Sequence, residues 1–107
     1  MVVWADLGTS VGREQAGRRP CVIVSTREHL RAATDLATVI PCTSRDRAWG
    51  NHILLVGPSG LPVPTFAMTE QTRTISRERI HSVAGTIDTP CLAQIRWWIE
   101  NWTLDAA

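Results

Sequence analysis

The sequence of 107 residues contains no lysine, so all eleven of its basic residues are arginine. This composition has two explanations: codon bias, or a need for the planar, bidentate contacts that guanidinium groups make with phosphates. The formal net charge of +1 does not by itself indicate a nucleic-acid-binding protein. However, residues 1–79 hold ten arginines and seven acidic residues, a net charge of +3. The positive electrostatic field is therefore expected over the first three quarters of the chain.

Cysteine and long apolar runs are also scarce. Cys21, Cys42 and Cys91 are odd in number and widely spaced, which excludes a disulfide framework and a Cys-x-x-Cys metal site, so we expect three small buried hydrophobes. No segment approaches the ~18 apolar residues of a membrane span, and the first residues lack the basic region and cleavage site of a secretion signal. We expect a soluble, cytoplasmic protein with no membrane partner.

Short strand-like segments alternate with glycine- and proline-rich turns, without a repeat or a flexible linker. Residues 1–107 are therefore expected to form one domain. Apolar alternation and β-branched residues predict six strands: Val2–Leu7, Pro20–Ser25, Leu36–Cys42, His52–Val56, Val63–Thr69 and Ile80–Ile87. Residues 26–34 show no clean period and are predicted to form a loop that contains one helical turn.

One C-terminal helix is predicted, with Thr89 as its N-cap, Pro90 at its first position and an end near Thr103. Trp97 lies nearly opposite the apolar stripe on the helical wheel, which indicates either a partner contact or packing within the monomer. The stripe predicts packing against a sheet and consists of Leu92, Ile95, Ile99 and Trp102. The predicted fold is mainly β, a small, strongly bent antiparallel sheet or partly open β-barrel.

Polar residues are concentrated in two stretches that border buried strands. Residues 12–20 form a glycine-punctuated loop with three arginines and one glutamate, and residues 41–47 end a strand with two hydroxyls and two arginines. Function in small barrels lies on the loops at one rim. Adjacent strand ends are therefore expected to bring Arg19, Thr43 and Ser44 within a few ångströms of one another.

Together these stretches and two further motifs resemble the MazF/PemK toxin family in residues, order and spacing, over nearly the whole chain. The motifs are Trp4-Ala5-Asp6, Gly12-x-Glu14-Gln15-Ala16-Gly17-x-Arg19-Pro20, Pro41-Cys42-Thr43-Ser44 and Glu70-Gln71-x-Arg73-x-Ile75. The resemblance implies the toxin of a type II toxin-antitoxin system, a homodimeric, metal-independent endoribonuclease on a CcdB/MazF-type barrel. It implies cleavage of single-stranded RNA to 2′,3′-cyclic phosphate and 5′-hydroxyl ends, and a cognate MazE-like antitoxin whose acidic, disordered tail lies in the basic groove.

Transesterification by a 2′-hydroxyl needs a base, an acid and donors aimed at the phosphorane oxygens, and it needs no cofactor. The sequence has no HExxH motif, paired Asp cluster or Cys/His spacing, so no metal site is predicted. Arg19 and Thr43 match the family's catalytic arginine and threonine; we expect Arg19 to stabilise charge because a guanidinium stays protonated. Glu14 matches a loop carboxylate and is either the proton acceptor or a partner of Arg13 or Arg18.

The remaining candidates are assigned to RNA binding, each with an alternative. Ser44 is either a second donor or a turn-capping hydroxyl, and Trp49 is either a stacking surface for unstacked bases or a loop plug. Glu70 stands where some relatives have an aspartate proposed as the base; with Arg73 it is expected to form a structural ion pair or an RNA contact. Backbone contacts are expected from Arg13, Arg18, Arg45 and Arg47.

Other side chains are assigned structural roles. Phe66, on an alternating strand, is expected in the core, and the three histidines, His29, His52 and His81, are expected to be structural or solvated. His52 is the best candidate for an exception because it follows the loop of residues 45–51.

A second hypothesis keeps the barrel but makes it a binding protein, either a gyrase poison like the CcdB toxins or a silent RNA binder. The CcdB-type interpretation needs a helix that ends in a short apolar motif with the target-binding tryptophan. This chain ends Trp102-Thr103-Leu104-Asp105-Ala106-Ala107 and retains Arg19 and Thr43. The endoribonuclease is therefore the favoured hypothesis.

Overall fold

The computed structural model describes residues 1–8 and 17–101. Single 3₁₀ turns at Thr69–Gln71 and Arg77–Arg79 separate the last three strands. The elements are β1 (Val2–Asp6), β2 (Arg18–Ile23), α1 (Arg27–Ala32), β3 (Leu36–Thr43), β4 (His52–Leu54), β5 (Phe66–Met68), β6 (Arg73–Ser76), β7 (Ile80–Gly85) and α2 (Thr89–Ile99). The prediction of a mainly β fold with a C-terminal helix is confirmed.

The strands form one antiparallel sheet in the order β4-β5-β3-β2-β1-β7. The eight-residue strand β3 is its centre: it pairs with β2 along one edge, and with β6 and then β5 along the other. In the part of the chain described, β4 and β7 are the two ends of this order, so the sheet is bent but not closed. The predicted partly open architecture is confirmed.

Side chains along a strand alternate between the two faces of a sheet, and the buried residues accordingly form two cores. The core on the α2 face combines Cys91 and Ile95 of α2 with the residues they pack against, which are Val2, Val22, Val24, Ile40, Cys42, Ile53, Ala67 and Ile87. The α1 face, against which Leu30 of α1 packs, consists of Val3, Ala5, Leu7, Cys21, Ala37, Val39 and Ile75. The three cysteines are free and buried, as expected.

Helix α2 packs as the apolar stripe predicts, but it begins differently. Its N-cap is Asp88, whose Oδ1 accepts a 2.8 Å hydrogen bond from the Cys91 amide, so the prediction of Thr89 as the cap is wrong. A carboxylate at this position satisfies a free amide and complements the positive end of the helix. Trp97 is 54% exposed, and the predicted end at Thr103, with Trp102 of the stripe, lies outside the described residues.

Two elements differ from the predictions for physical reasons. Strand β6 was not predicted because its sequence, Arg-Thr-Ile-Ser, has one apolar residue; its register with β3 buries that residue, Ile75. Helix α1 replaces the predicted loop because both of its ends are capped. Thr26 accepts from the His29 amide, and the distant Arg77 guanidinium donates to the carbonyls of Leu30 and Ala33.

Residues 57–60 form a turn that rests on the end of β7. Gly60 has a φ of +75°, and a Cβ there would lie 1.9 Å from the Ala84 carbonyl oxygen, so only glycine fits. The Thr86 amide donates a 3.0 Å hydrogen bond to the Pro58 carbonyl oxygen. The turn fixes the start of the following segment, residues 61–65, and the predicted strand Val63–Thr69 is shortened to β5. None of the helices in residues 1–8 and 17–101 is long and apolar enough to cross a membrane.

Candidate active site

Arg19 and Thr43 meet where β2 begins and β3 ends. The antiparallel register pairs Cys21 with Pro41, so two residues further along it places Arg19 opposite Thr43. Both residues are half-buried. With Ser44 they line an open cleft of about 210 Å³. The structure thus brings together the three side chains that the sequence motifs place at adjacent strand ends.

The cleft has apolar walls beside this polar floor. Trp4 and Pro20, which are register partners on β1 and β2, form one wall. Leu61, Pro62 and Val63 form the other, next to the buried Thr65, whose hydroxyl donates to the Val63 carbonyl at 2.9 Å. Such a cleft accepts a group that is charged on one side and apolar on the other, as a nucleotide is.

The Thr43 hydroxyl accepts a 3.1 Å hydrogen bond from the Arg45 amide, which leaves its own proton available for a ligand. Arg45 and Ser44 are exposed in the turn that follows. The register also pairs Arg73 of β6 with Val39, so alternation places Arg73 on the same face of β3 as Thr43. Two guanidinium groups therefore approach the same face of the sheet beside the cleft.

The cysteine thiols report on this environment. Burial raises the pKa of Cys21 to about 12, although the nearby guanidinium groups of Arg73 and Arg19 favour its thiolate. Burial also raises the pKa values of Cys42 and Cys91. Nucleophilic cysteine requires the thiolate, so none of the three is suited to that role. The described residues hold no group of three or more His, Cys, Asp or Glu side chains placed to hold a metal ion.

A second polar cluster surrounds His52, at the start of β4. The ring Nε2 lies 2.9 and 3.0 Å from the two carboxylate oxygens of Glu70, and Asn51 Nδ2 donates to Oε1 at 2.9 Å. In the described structure Glu70 thus pairs with His52 and Asn51, and it borders a shallow pocket together with Arg73. The sequence does not predict the His52–Glu70 pair because the pair depends on the β4–β5 register. That register pairs His52 with Met68, and residue identities alone do not reveal it.

Trp49 lies beside this cluster with 46% of its surface exposed. Its ring centroid is 4.8 Å from that of His52, and the Arg47 guanidinium carbon lies over the indole at 5.6 Å. The exposed ring favours the surface role over that of a loop plug. Phe66 is half-buried opposite Thr43 and lies outside both cores, so its assignment to the core is wrong. Alternation along β5 places it on the opposite face of the sheet from the buried Ala67 of the α2 face.

Arg18, a predicted site residue next to Arg19, does not line the cleft. The Arg18 guanidinium lies 3.3 and 3.4 Å from the ring nitrogens of His81 on β7, because alternation directs it to the opposite face from Arg19. Arg13 and Glu14 lie outside the described residues.

Comparison with known proteins finds a matching family model and relatives with similar sequences. A family model described as "PemK-like, MazF-like toxin of type II toxin-antitoxin system" matches residues 1–102. Endoribonuclease MazF9 of Mycobacterium tuberculosis is 34% identical over 100 residues, which cover 87% of this chain and 85% of that protein. Endoribonuclease toxin MazF of Escherichia coli K12 is 29% identical over 87 residues, which cover 80% and 75%.

Solved structures share the fold. MazF from Deinococcus radiodurans superposes with a TM-score of 0.80 at 24% identity, covering 94% of this chain and 90% of that one. A MazE–MazF structure from the same organism superposes with a TM-score of 0.74 at 24% identity, covering 99% and 93%.

Proposed function

Because the chain belongs to the PemK-like, MazF-like toxin family of type II toxin-antitoxin systems, we propose that it is an endoribonuclease that cleaves single-stranded RNA. Two relatives are named as endoribonucleases. The observation that carries the proposal is the position of Arg19 opposite Thr43 in an open cleft. The Arg19 guanidinium is permanently charged and has five N–H donors, and it lies beside the Thr43 hydroxyl. This combination can stabilise the charged oxygens of a phosphorane.

In the proposed reaction the RNA supplies the nucleophile. Its 2′-hydroxyl oxygen attacks the adjacent phosphorus, the bond to the 5′-oxygen breaks, and the products are a 2′,3′-cyclic phosphate and a 5′-hydroxyl. Arg19 stabilises the negative charge that develops on the phosphorane, and the Thr43 hydroxyl donates to it. Glu14 accepts the proton of the 2′-hydroxyl, and a proton from solvent water completes the 5′-hydroxyl as the bond to phosphorus breaks. The reaction needs no metal ion or other cofactor.

RNA binding extends from the cleft along the arginine-rich rim. The rim residues that the structure describes are Ser44, Arg45, Arg47, Trp49, Glu70 and Arg73. Arg13, and Arg18 on the opposite face of the sheet, are proposed as further RNA contacts. The arginines neutralise backbone phosphates, and unstacked bases lie against the exposed indole. The same positive rim suits an acidic, disordered segment of a cognate antitoxin, and a D. radiodurans relative has been solved with MazE. Residues 1–107 act as one toxin domain, as a homodimer in the cytoplasm.

The test is incubation of the purified, antitoxin-free protein with a long mixed-sequence RNA in EDTA, followed by mapping of the new ends. A DNA of matched sequence and the Arg19→Ala variant are the controls. We expect discrete cuts with 5′-hydroxyl ends on RNA alone, and a loss of about 10²-fold or more in rate for Arg19→Ala. Arg31→Ala, which removes an exposed α1 arginine away from the cleft, is expected to cleave at the wild-type rate.

Intact RNA after incubation with folded wild-type protein would overturn this proposal. The binding-protein alternative would then stand, and gyrase inhibition would be the next assay. A requirement for a metal ion would contradict the proposed chemistry even if cleavage occurred.

A further inference from the structure

His52 is buried in a way that packing alone does not explain. Its side chain is 1% exposed, and its Nδ1 has no hydrogen-bond partner among the described residues. A buried polar atom without a partner costs free energy, so an apolar residue of similar size would fill this site more favourably. The other ring nitrogen, Nε2, bonds to both oxygens of Glu70. Because a carboxylate only accepts, Nε2 carries the proton.

The bond from His52 fixes a carboxylate that still reaches solvent. The Glu70 side chain is 24% exposed, while Asn51 donates to Oε1 and His52 donates to both carboxylate oxygens. Asn51 is itself tied to the turn, since its carbonyl accepts from the Thr69 hydroxyl at 2.8 Å. A carboxylate has about four acceptor positions, and three are in use. The remaining capacity, chiefly on Oε2, can accept only from an N–H or O–H group.

The same histidine also fixes an aromatic surface. Its ring touches the indole of Trp49 at a centroid distance of 4.8 Å and an interplanar angle of 52°. Trp49 is nearly half exposed, and the guanidinium of Arg47 lies over its ring. Proteins that bind single-stranded RNA combine these features: an aromatic ring for stacking, a planar cation, and a polar group for the base edge.

We propose that His52 is a positioning residue that holds the Glu70 carboxylate and the Trp49 ring as a binding site for one unstacked base with an exocyclic amino group. The base stacks on Trp49, and its amino group donates to Glu70, as cytosine donates to acidic side chains in nucleic-acid complexes. The inference rests on the proposed endoribonuclease function. In this proposal Glu70 determines base specificity. Uracil is disfavoured because it carries a carbonyl oxygen where cytosine carries its amino group, and a carbonyl cannot donate to a carboxylate.

Two substitutions of His52 form a matched pair. His52→Gln places an amide nitrogen near the position of Nε2 and can still donate to Glu70. His52→Asn places its amide near the position of Nδ1 and cannot reach the carboxylate. Both amides are polar and smaller than imidazole, so a purely structural role for His52 predicts similar defects in the two. Glu70→Gln, in which half of the acceptor is replaced by a donor, tests the base contact at an exposed site.

The experiment is cleavage of an RNA library with a randomised segment, followed by sequencing at the cut sites. For wild type we expect one position at which adenine, cytosine or guanine is preferred over uracil by about tenfold or more. His52→Asn and Glu70→Gln should abolish that preference at this position and leave the others unchanged, whereas His52→Gln should retain it within about threefold. Thermal melting of each variant shows whether it is folded.

A uniform loss of rate at all cut sequences, with every preference intact in His52→Asn and Glu70→Gln, would overturn the proposal. The binding of fluorescent oligocytidine and oligouridine to the same proteins separates this result from a failure of the proposed function. If wild type does not cleave RNA but prefers oligocytidine, and His52→Asn loses that preference, the base site stands without the nuclease. Equal binding of the two oligonucleotides by wild type would contradict the base site.

Discussion

The two faces of the sheet have similar apolar centres but different rims. The α2 face is closed by a helix, and at its centre Ile95 and Ile40 are fully buried. The α1 face is as well packed in the middle, but at the ends of its strands it carries Arg19, Thr43 and Arg73. Stability and chemistry are therefore centred on different parts of the sheet, although Cys42 of the α2 face also lines the cleft. Changes in the centre of the α2 face should alter stability alone, and changes at the rim of the α1 face should alter catalysis alone.

The largest effect on stability is expected from Ile95→Ala, which removes a fully buried side chain from beneath α2. The cavity and the lost burial should lower the free energy of unfolding by about 3 kcal/mol. Urea denaturation measures this loss. Gln94→Ala, an exposed position on the same helix, should change it by no more than about 0.5 kcal/mol. A cleavage rate per folded molecule that falls along with stability would break the separation of the two faces.

A smaller effect, of about 2 kcal/mol, is expected for Gly60→Ala because the new Cβ overlaps the Ala84 carbonyl and the φ of Gly60 is positive. Gly50→Ala is the matched control, since a Cβ there meets no atom within 4 Å. This variant links stability to the active site, because Gly60 directly precedes residues 61–63, which form one wall of the cleft. Thermal melting should show the loss for Gly60→Ala alone; equal melting of the two variants would contradict the observed packing of the turn.

Periodic features of the fold follow from the sequence, and contacts between distant residues do not. Alternation in β1 and the apolar stripe of α2 predict the strand and the helix face because each depends on a local repeat. Strand β6 has too few apolar residues to show a period, and it forms because β3 offers an unpaired edge. α1 depends on Arg77, which lies about 45 residues from the carbonyls it caps.

In the candidate site, too, local motifs predict some residues, whereas contacts between distant residues cannot be predicted from the sequence. Motif spacing places Arg19 and Thr43 at strand ends, and their meeting follows from one antiparallel register. The pairing of His52 with Glu70 depends on a short β4–β5 ladder that no pattern in three residues reveals. Arg18 points toward His81 because side chains alternate between the two faces of β2. The sequence predicts a loop over residues 12–20, and a loop has no such alternation.

The smallest expected effect concerns the start of α2. Asp88→Ala removes the side chain that caps the Cys91 amide and should cost about 1 kcal/mol, whereas Thr89→Ala, which removes no described cap, should cost less than about 0.5 kcal/mol. Guanidinium denaturation of the two variants measures the difference. The reverse order would restore Thr89 as the cap and contradict the helix boundary seen here.

The central claim is that Arg19 and Thr43 act together on one phosphate. The most direct measurement is a double-mutant cycle of single-turnover RNA cleavage with Arg19→Ala, Thr43→Val and the double variant. We expect losses of about 10²-fold or more for Arg19→Ala and about tenfold for Thr43→Val. The double variant should lose little more than Arg19→Ala alone, because groups that act as a unit are not additive. Losses that multiply in the double variant would show that the two residues act independently and would contradict the account.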